Sequence, residues 1–491
     1  MSMSIPSLLV AASFTYIPVR AIFIIRSRIC TDDTGKLFGS LQVQYTVALS
    51  SGCVTLRDIN WLDELSYTAA GAWKTIYGHR NVEMEKNLKG AGLLPPLLRS
   101  GQARSIVTAE RHQHARMRKT VAHAFSEKAL REQEGFLQGY VDILINQLRQ
   151  KSLEEPQNLV DWFNYTTFDV IGDMSFGEPF GCLQSNTYHT WVANVFQGVK
   201  QIPYVHLLMY LKITWLVTKL TPKRLRDAKN DSDADAYEKV SRRIALQKEG
   251  TNRKDFLSYM LRENHDSGMT VPELQETAVI LIIAGSETTA TFLSGTVYLI
   301  LRNPRVYQRL VEEVRSSFQD EAEITITAVQ GLKYMKAVVS ESFRVYPPSP
   351  GSFPRIVPGM GERIMGKWVP GGVGVHQLAA NHDERNFYRP NDFLPERYLP
   401  DVLHQENDVA SERFVNDKLD VVKPFSFGPR NCLGKNLAYA ELRLILTRLV
   451  WNFDMKLDPD SNHGRWIADQ KTAMIWEKPP LKVQLTDIHR K

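Results

Sequence analysis

From Ala278 to Leu301 the chain reads AVILIIAGSETTATFLSGTVYLIL, an apolar run with a single charge, Glu287, near its middle. A run of this length can cross a bilayer, and an acid inside lipid asks for a functional explanation. The ends of the run decide for another reading. Thr270-Val-Pro-Glu273 is a capping box with proline in the first turn, and Asn303-Pro304 is a stop. The flanks RENHDSGMT and RNPRVYQRLVEEVR are ordinary solvated sequence. The pattern predicts one helix of about 33 residues, a rod on the order of 50 Å, buried in a globular protein. Glu287 and Thr288 then face something internal.

Other segments repeat the helical period. Leu130 to Leu148 has apolar spacing of three and four, and NLVDWFNYTTFDVIGDMSFG predicts a helix closing at Gly172 or Gly177. LKYMKAVVSESFRVYPP is a helix cut off by Pro347 and Pro348. Between Gly351 and Gln377 the texture changes to Gly, Pro and Val, which fits short strands and tight turns. Pro400 to Val422 is irregular and polar. Val195 to Leu220 is apolar and aromatic, and reads either as core or as an entrance that dips into a membrane. The predicted architecture is mainly α with a minor β portion.

Ser2 to Val19 carries no charge, Arg20 interrupts, and Arg26 and Arg28 follow Ala21 to Ile25. Residues 1–28 read as a membrane anchor that keeps residues 29–491, a single domain, on the cytoplasmic side. A cleaved signal peptide is the alternative, but no small-residue cleavage site follows.

Composition narrows the function classes. With 43% hydrophobic residues the chain affords a sizeable core, and a net charge of +6 is too small and scattered to argue for nucleic acid. The four cysteines, Cys30, Cys53, Cys182 and Cys432, form no C-x-x-C pair, so neither a disulfide framework nor a structural zinc site is expected. Only Cys432 has a neighbourhood that suggests a ligand or a nucleophile. PFSFGPRNCLGKNLAYAELRLILTRLVW begins as a Gly- and Pro-bearing loop and becomes an apolar-periodic helix from about Leu433. A helix N-terminus favours a thiolate over a thiol. Gly428 and Gly434 leave room for something flat and bulky, and Arg430 offers a charge to a carboxylate. A thiolate with no second ligand nearby fits the proximal ligand of a haem iron.

The segment Phe425-x-x-Gly428-x-Arg430-x-Cys432-x-Gly434 resembles the signature of the haem-thiolate monooxygenases, the cytochrome P-450 superfamily. AGSETT, which begins at Ala284 and Gly285, resembles that family's central-helix motif, with an acid and a hydroxyl over the iron. ESFR resembles its E-x-x-R and PERY its later arginine motif, which implies that Glu341, Arg344 and Arg397 form a buried ionic network locking the haem loop. An isolated i,i+3 Glu/Arg pair would be mere helix electrostatics. In ERHQHARMRKTVAHAFS, His112 and His114 are a poor chelate because positions i and i+2 of a helix point apart. His114 and Arg118 share a face and align with the family's propionate-binding W-x-x-x-R, with histidine in place of tryptophan. Arg355 resembles a propionate-binding arginine of the strand region. The likeness runs from about Glu64 to the C-terminus and is similar in texture to fungal enzymes of secondary metabolism, including trichothecene-pathway hydroxylases. Residues 1–63 depart from it: the proline-rich hinge is missing, and 41–63 reads as a divergent strand or a gene-model error.

The resemblance implies a cytochrome P-450 fold whose long central helix crosses over haem b, with Cys432 as axial ligand. It implies monooxygenation of a lipophilic polyketide, terpenoid or alkaloid intermediate by O2. Thr288 would hydrogen-bond the bound oxygen and Glu287 would relay protons to it. Ser286 and Thr289 read as packing or back-bonding hydroxyls. No flavin or nicotinamide motif occurs, so electrons would come from NADPH through a flavoprotein reductase, at the endoplasmic reticulum membrane. Two rival classes are a membrane protein, such as a transporter, spanning lipid with Ala278–Leu301, and a cysteine-nucleophile enzyme using Cys432 with a histidine.

Overall fold

A computed structural model describes residues 64–86, 103–194, 196, 223–250, 253–262, 268–399, 413–461, 463–472 and 474–489. The expected anchor (1–28), the 41–63 stretch, Val195 with 197–222, and 400–412 lie outside the described residues. The described helices are α1 (Ala70–Tyr77), α2 (Arg111–Ala122), α3 (Glu127–Lys151), α4 (Leu159–Phe176), α5 (Cys182–Ser185), α6 (Lys223–Lys248), α7 (Phe256–Arg262), α8 (Val271–Arg302), α9 (Pro304–Ser317), α10 (Lys333–Val345), α11 (Gln377–Asn381) and α12 (Lys435–Asn452). The architecture is mainly α with small sheets.

The apolar run with one acid is α8, 32 residues long. Its start is the capping box: the Thr270 hydroxyl accepts from the Glu273 N–H while the Glu273 carboxylate accepts from the Thr270 N–H. Arg116 of α2 clamps the same carboxylate at 2.6 Å, which ties α2 to the first turn of α8. Length and composition alone would let α8 cross a membrane. Instead it lies against protein, most extensively α4, a helix buried on every side. The two backbones approach closely because Gly285 has no side chain; a Cβ there would meet Ile171 at 2.8 Å. Gly295 does the same for Tyr346, whose ring lies 2.1 Å from where a Cβ would be. Helix α4 ends on Gly177 at φ +82°, a left-handed cap that glycine adopts without strain. Gly172 stays inside the helix.

The Gly/Pro/Val stretch forms β4 (Arg355–Ile356), β5 (Glu362–Ile364), β6 (Lys367–Val369) and β7 (Gly372–Val375). With β1 (Glu64–Tyr67) and β2 (Glu85–Lys86) they build a sheet of order β1-β7-β4-β2, while β5 and β6 form a hairpin of their own. In this sheet Lys86 pairs in register with Arg355. A second sheet joins β3 (Gln157–Asn158), β11 (Lys482–Asp487) and β8 (Phe453–Leu457), and β9 (Lys471–Thr472) pairs with β10 (Trp476–Glu477). The helices share one large apolar core, and a smaller cluster (Trp73, Ile76, Tyr77, Val373, Val375 and neighbours) fills the space between α1 and the first sheet. The Cys432 loop follows the second cluster and leads into the first.

Candidate active site around Cys432

The loop before α12 is shaped by backbone geometry. Ser426 and Gly428 both have positive φ, +60° and +76°. At Gly428 a Cβ would come within 1.8 Å of the Tyr77 carbonyl oxygen of α1, so this glycine is required by the close approach of two backbones. The Cys432 N–H then donates to the Phe425 carbonyl at 2.8 Å and closes the turn. The Phe425 ring is wedged between Phe343 and Tyr439, centroids 5.2 and 5.1 Å away. At Gly434 a Cβ would find only Phe125, at 3.9 Å. The sequence expectation that both glycines make room for a flat group therefore applies to Gly434 alone.

Helix α12 begins at Lys435, three residues beyond Cys432. The thiol is accessible to solvent yet flanked by enough protein that desolvation raises its pKa above the ordinary value. The Gly434 N–H and the charges of Arg118 and Lys435 pull the other way without prevailing. The helix terminus thus does not make a thiolate by itself, contrary to the sequence expectation; a cation at the sulfur would.

Around this loop the chain gathers cations. Arg118 donates to the Asn431 carbonyl at 2.7 Å, and Arg430 to the Ala109 carbonyl at 3.0 Å and to the Glu83 carboxylate. Arg355 is buried, contacts the Phe353 and Pro354 carbonyls, and lies 5.0 Å over the Tyr77 ring. His114 is buried while His112, two positions earlier, is exposed, as the helical period requires. Desolvation, with Arg430, Lys86, Arg118 and Arg355, pushes His114 down to about 3, so it is a neutral donor or acceptor. Lys86, which sequence reasoning did not single out, is pushed down to about 7 by desolvation, Arg430 and Arg355. A partly buried set of like charges is costly unless an anion joins it.

The middle of α8 carries the second half of the site. Along a helix that is otherwise largely buried, Ala284 is exposed and Gly285 and Thr288 are half-buried. The Thr288 hydroxyl donates to the Ala284 carbonyl at 2.7 Å, and the Ser286 hydroxyl to the Ile282 carbonyl at 2.6 Å. Glu287 is buried in an ion pair with Lys478, and Thr291 bridges them, 3.2 Å from the carboxylate and 2.6 Å from the ammonium. The other carboxylate oxygen, Oε2, is buried and makes no hydrogen bond. Thr289 is buried and stands beside Glu441 of α12, a fully enclosed acid whose pKa desolvation pushes up to about 8 while the Thr289 hydroxyl pulls it down. Nothing local in the sequence marks Lys478. Glu441 was legible as an acid at an apolar-periodic position of α12.

Glu341, Arg344 and Arg397 meet as the pattern implied. Arg344 engages Glu341 through two bonds of 2.8 Å, and Arg397 reaches the same carboxylate at 3.0 Å, all with no exposed side-chain surface. Arg344 also donates to the carbonyls of Asn381, Pro390 and Asp392, and Arg397 pairs with Asp417. The network ties α10 to residues 381–397 and to Asp417, upstream of the cysteine loop. Asp417 and the Pro390 and Asp392 carbonyls come from irregular backbone, and the Asn381 carbonyl from the last residue of α11; none has a sequence signature.

A lone cysteine on a glycine turn, cations beside it and a central helix bearing an acid and a hydroxyl are the arrangement expected from the sequence resemblance to haem-thiolate enzymes. The residues fit that group: Cys432 is reachable, Gly434 leaves space, and the buried cations want carboxylates. The profile of the Cytochrome P450 family matches residues 76–485. The chain is 44% identical to a cytochrome P450 monooxygenase of Talaromyces wortmannii, over 86% of this chain and 83% of that protein. It is 41% identical to one of Alternaria solani, over 87% and 81%, and 41% identical to the trichothecene C-4 hydroxylase of Trichoderma arundinaceum, over 87% and 83%. The chain belongs to the cytochrome P450 family: it is a monooxygenase, an oxidoreductase that incorporates oxygen, and the family implies thiolate-ligated haem iron.

Proposed function

We propose that the chain inserts one atom of O2 into a lipophilic secondary metabolite, a polyketide, terpenoid or alkaloid intermediate, with electrons from NADPH delivered by a flavoprotein reductase. The carrying observation is the Cys432 turn, held open at Gly434 and flanked by buried cations. Cys432 would hold the iron through its thiolate, and His114, Arg118, Arg355 and Arg430 would hold the propionates, with Phe425 bracing the loop between Phe343 and Tyr439. Bound there, haem supplies dioxygen activation, which thiolate ligation favours. The trichothecene C-4 hydroxylase among the relatives supports a secondary-metabolite substrate.

The residues of this chain do the rest. Ala284 and Gly285 form the low stretch of α8 that faces the reacting group, and Thr288 presents its hydroxyl there. Glu287 stands next to it with Oε1 fixed by Lys478 and Oε2 free to accept and pass a proton. Glu341, Arg344 and Arg397 hold the loop in place and touch no reactant. The domain 29–491 would face the cytoplasm at the endoplasmic reticulum membrane through an anchor in residues 1–28; the charge-free Ser2–Val19 run supports this.

The test is spectroscopic first. The wild-type chain, expressed with a reductase, should give the red-shifted Soret band of a reduced, carbon-monoxide-bound thiolate haem, and Cys432→Ser should lose it. A haem spectrum unchanged by Cys432→Ser would overturn the assignment. Feeding candidate pathway intermediates to the same host then reads the substrate class by the oxygenated product.

A further inference from the structure

Lys86 has no role in the site as derived so far, and its surroundings are hard to explain by folding alone. It ends the two-residue strand β2, opposite Arg355, so that two cationic side chains are placed on neighbouring strands. Its ammonium donates to the Val107 carbonyl, a neutral acceptor, and has no carboxylate partner among the described residues. The two nearest acids are already engaged: Glu83 and Glu85 both face Arg430, and Glu83 also faces Arg111. Burial, Arg430 and Arg355 all work against its charge, strongly enough to bring it down to about 7.

Charge counting shows what is lacking. Lys86, Arg118, Arg355 and Arg430 carry four positive charges in mutual reach of His114, which is itself held neutral. Glu83 and Glu85 face this set, but both already serve Arg430 and Glu83 is shared with Arg111 as well, so the acids at hand do not match the cations one for one. The two propionates of one protoporphyrin ring are anions of the kind this set lacks. An aliphatic side chain at position 86 would serve β2 and the local packing better.

We propose that Lys86 is a carboxylate ligand for the cofactor, its ammonium turning from the Val107 carbonyl to a haem propionate. The inference rests on the haem-thiolate reading above and adds one residue to it. When the propionate arrives the opposing charges are neutralised and the lysine is held in its charged form. The residue therefore opposes folding of the cofactor-free chain and favours the loaded one.

The experiment uses the haem-loaded enzyme as wild type, Lys86→Met and Lys86→Arg, and follows loss of haem to excess apomyoglobin. Lys86→Met should release haem about tenfold faster, as expected for one lost charge-assisted hydrogen bond. Lys86→Arg should stay within about twofold of wild type, because the charge is kept. The three proteins reconstituted with haem dimethyl ester, which lacks the carboxylates, should release it at equal rates. Thermal unfolding of the haem-free chains should show Lys86→Met as stable as wild type or more so, an effect opposite in sign to its haem loss. Equal haem release by wild type and Lys86→Met would overturn the proposal, as would a defect that persists with the ester. A wild-type chain that takes up no haem would instead overturn the monooxygenase reading.

Discussion

Glu441 offers a quantitative test of how the central helix is held. It lies in α12, fully enclosed, with the Thr289 hydroxyl of α8 as its partner, and desolvation brings its pKa from 4.5 to about 8. The sign follows from linkage. Below the unfolded value the group is neutral in both states and has no effect. Between 4.5 and 8 the unfolded chain has lost the proton and the folded chain keeps it, so stability falls as pH rises. Each pH unit costs about 1.4 kcal/mol, and the full interval about 5 kcal/mol. Above 8 the folded state is ionised as well and the dependence ends. Glu441→Gln keeps shape and a hydrogen-bonding group but does not titrate. Its stability relative to wild type should therefore grow by about 2–3 kcal/mol from pH 6 to pH 8 and then level off. Urea unfolding of the haem-loaded proteins at pH 6, 7, 8 and 9, followed by tryptophan fluorescence and the Soret band, reads this directly. Any contribution of the Thr289 bond is a constant offset and leaves the slope intact. A stability difference that does not change between pH 6 and pH 8 would refute the reasoning.

Gly428→Ala places a Cβ against the Tyr77 carbonyl and forces a left-handed residue, so the loop must move; about 1–2 kcal/mol from the backbone alone should be lost, with haem content per polypeptide falling. Arg344→Lys removes a planar fork that serves one carboxylate and three carbonyls, and should cost about 3–5 kcal/mol and leave little haem-loaded protein, measured by Soret absorbance of the soluble fraction. Lys478→Met leaves Glu287 buried without its counter-ion, at about 3–5 kcal/mol of stability. It should also lower the fraction of NADPH consumption that ends in product, as should Thr288→Ala; undiminished coupling in either variant would remove that residue from the proton path.

How much of this was legible depends on whether the physics is local. The ends of α8 were, because a capping box and an Asn-Pro stop are spelled out in adjacent residues, and the observed helix, Val271–Arg302, lies within them. The switch to strands after Gly351 was legible for the same reason. The cysteine motif singled out the residues of its own loop, yet two of the physical reasons read from it were different in the fold. Gly428 answers to the Tyr77 carbonyl, a backbone atom some 350 positions away, and desolvation outweighs the helix terminus at Cys432. Gly177, not Gly172, closes α4, since Gly172 is packed against Phe180 while Gly177 alone is left-handed. Partners that arrive through tertiary contact, Lys478 for Glu287 and Lys86 beside Arg355, have no signature in their own neighbourhoods. Propensity and period cannot announce them.

The pairing of Glu287 with Lys478 spans 191 residues of sequence, and this sets an order of events in biosynthesis. A ribosome delivers α8 long before it delivers its counter-ion, so the nascent chain holds an apolar helix with an uncompensated acid in its middle. That helix cannot settle into its final bed until the last strands emerge, after the cysteine loop has already been released. Assembly of the centre is thereby tied to completion of the polypeptide: a chain cut short before Lys478 would carry the metal ligand and the acid, but lack the charge that lets the acid stay inside.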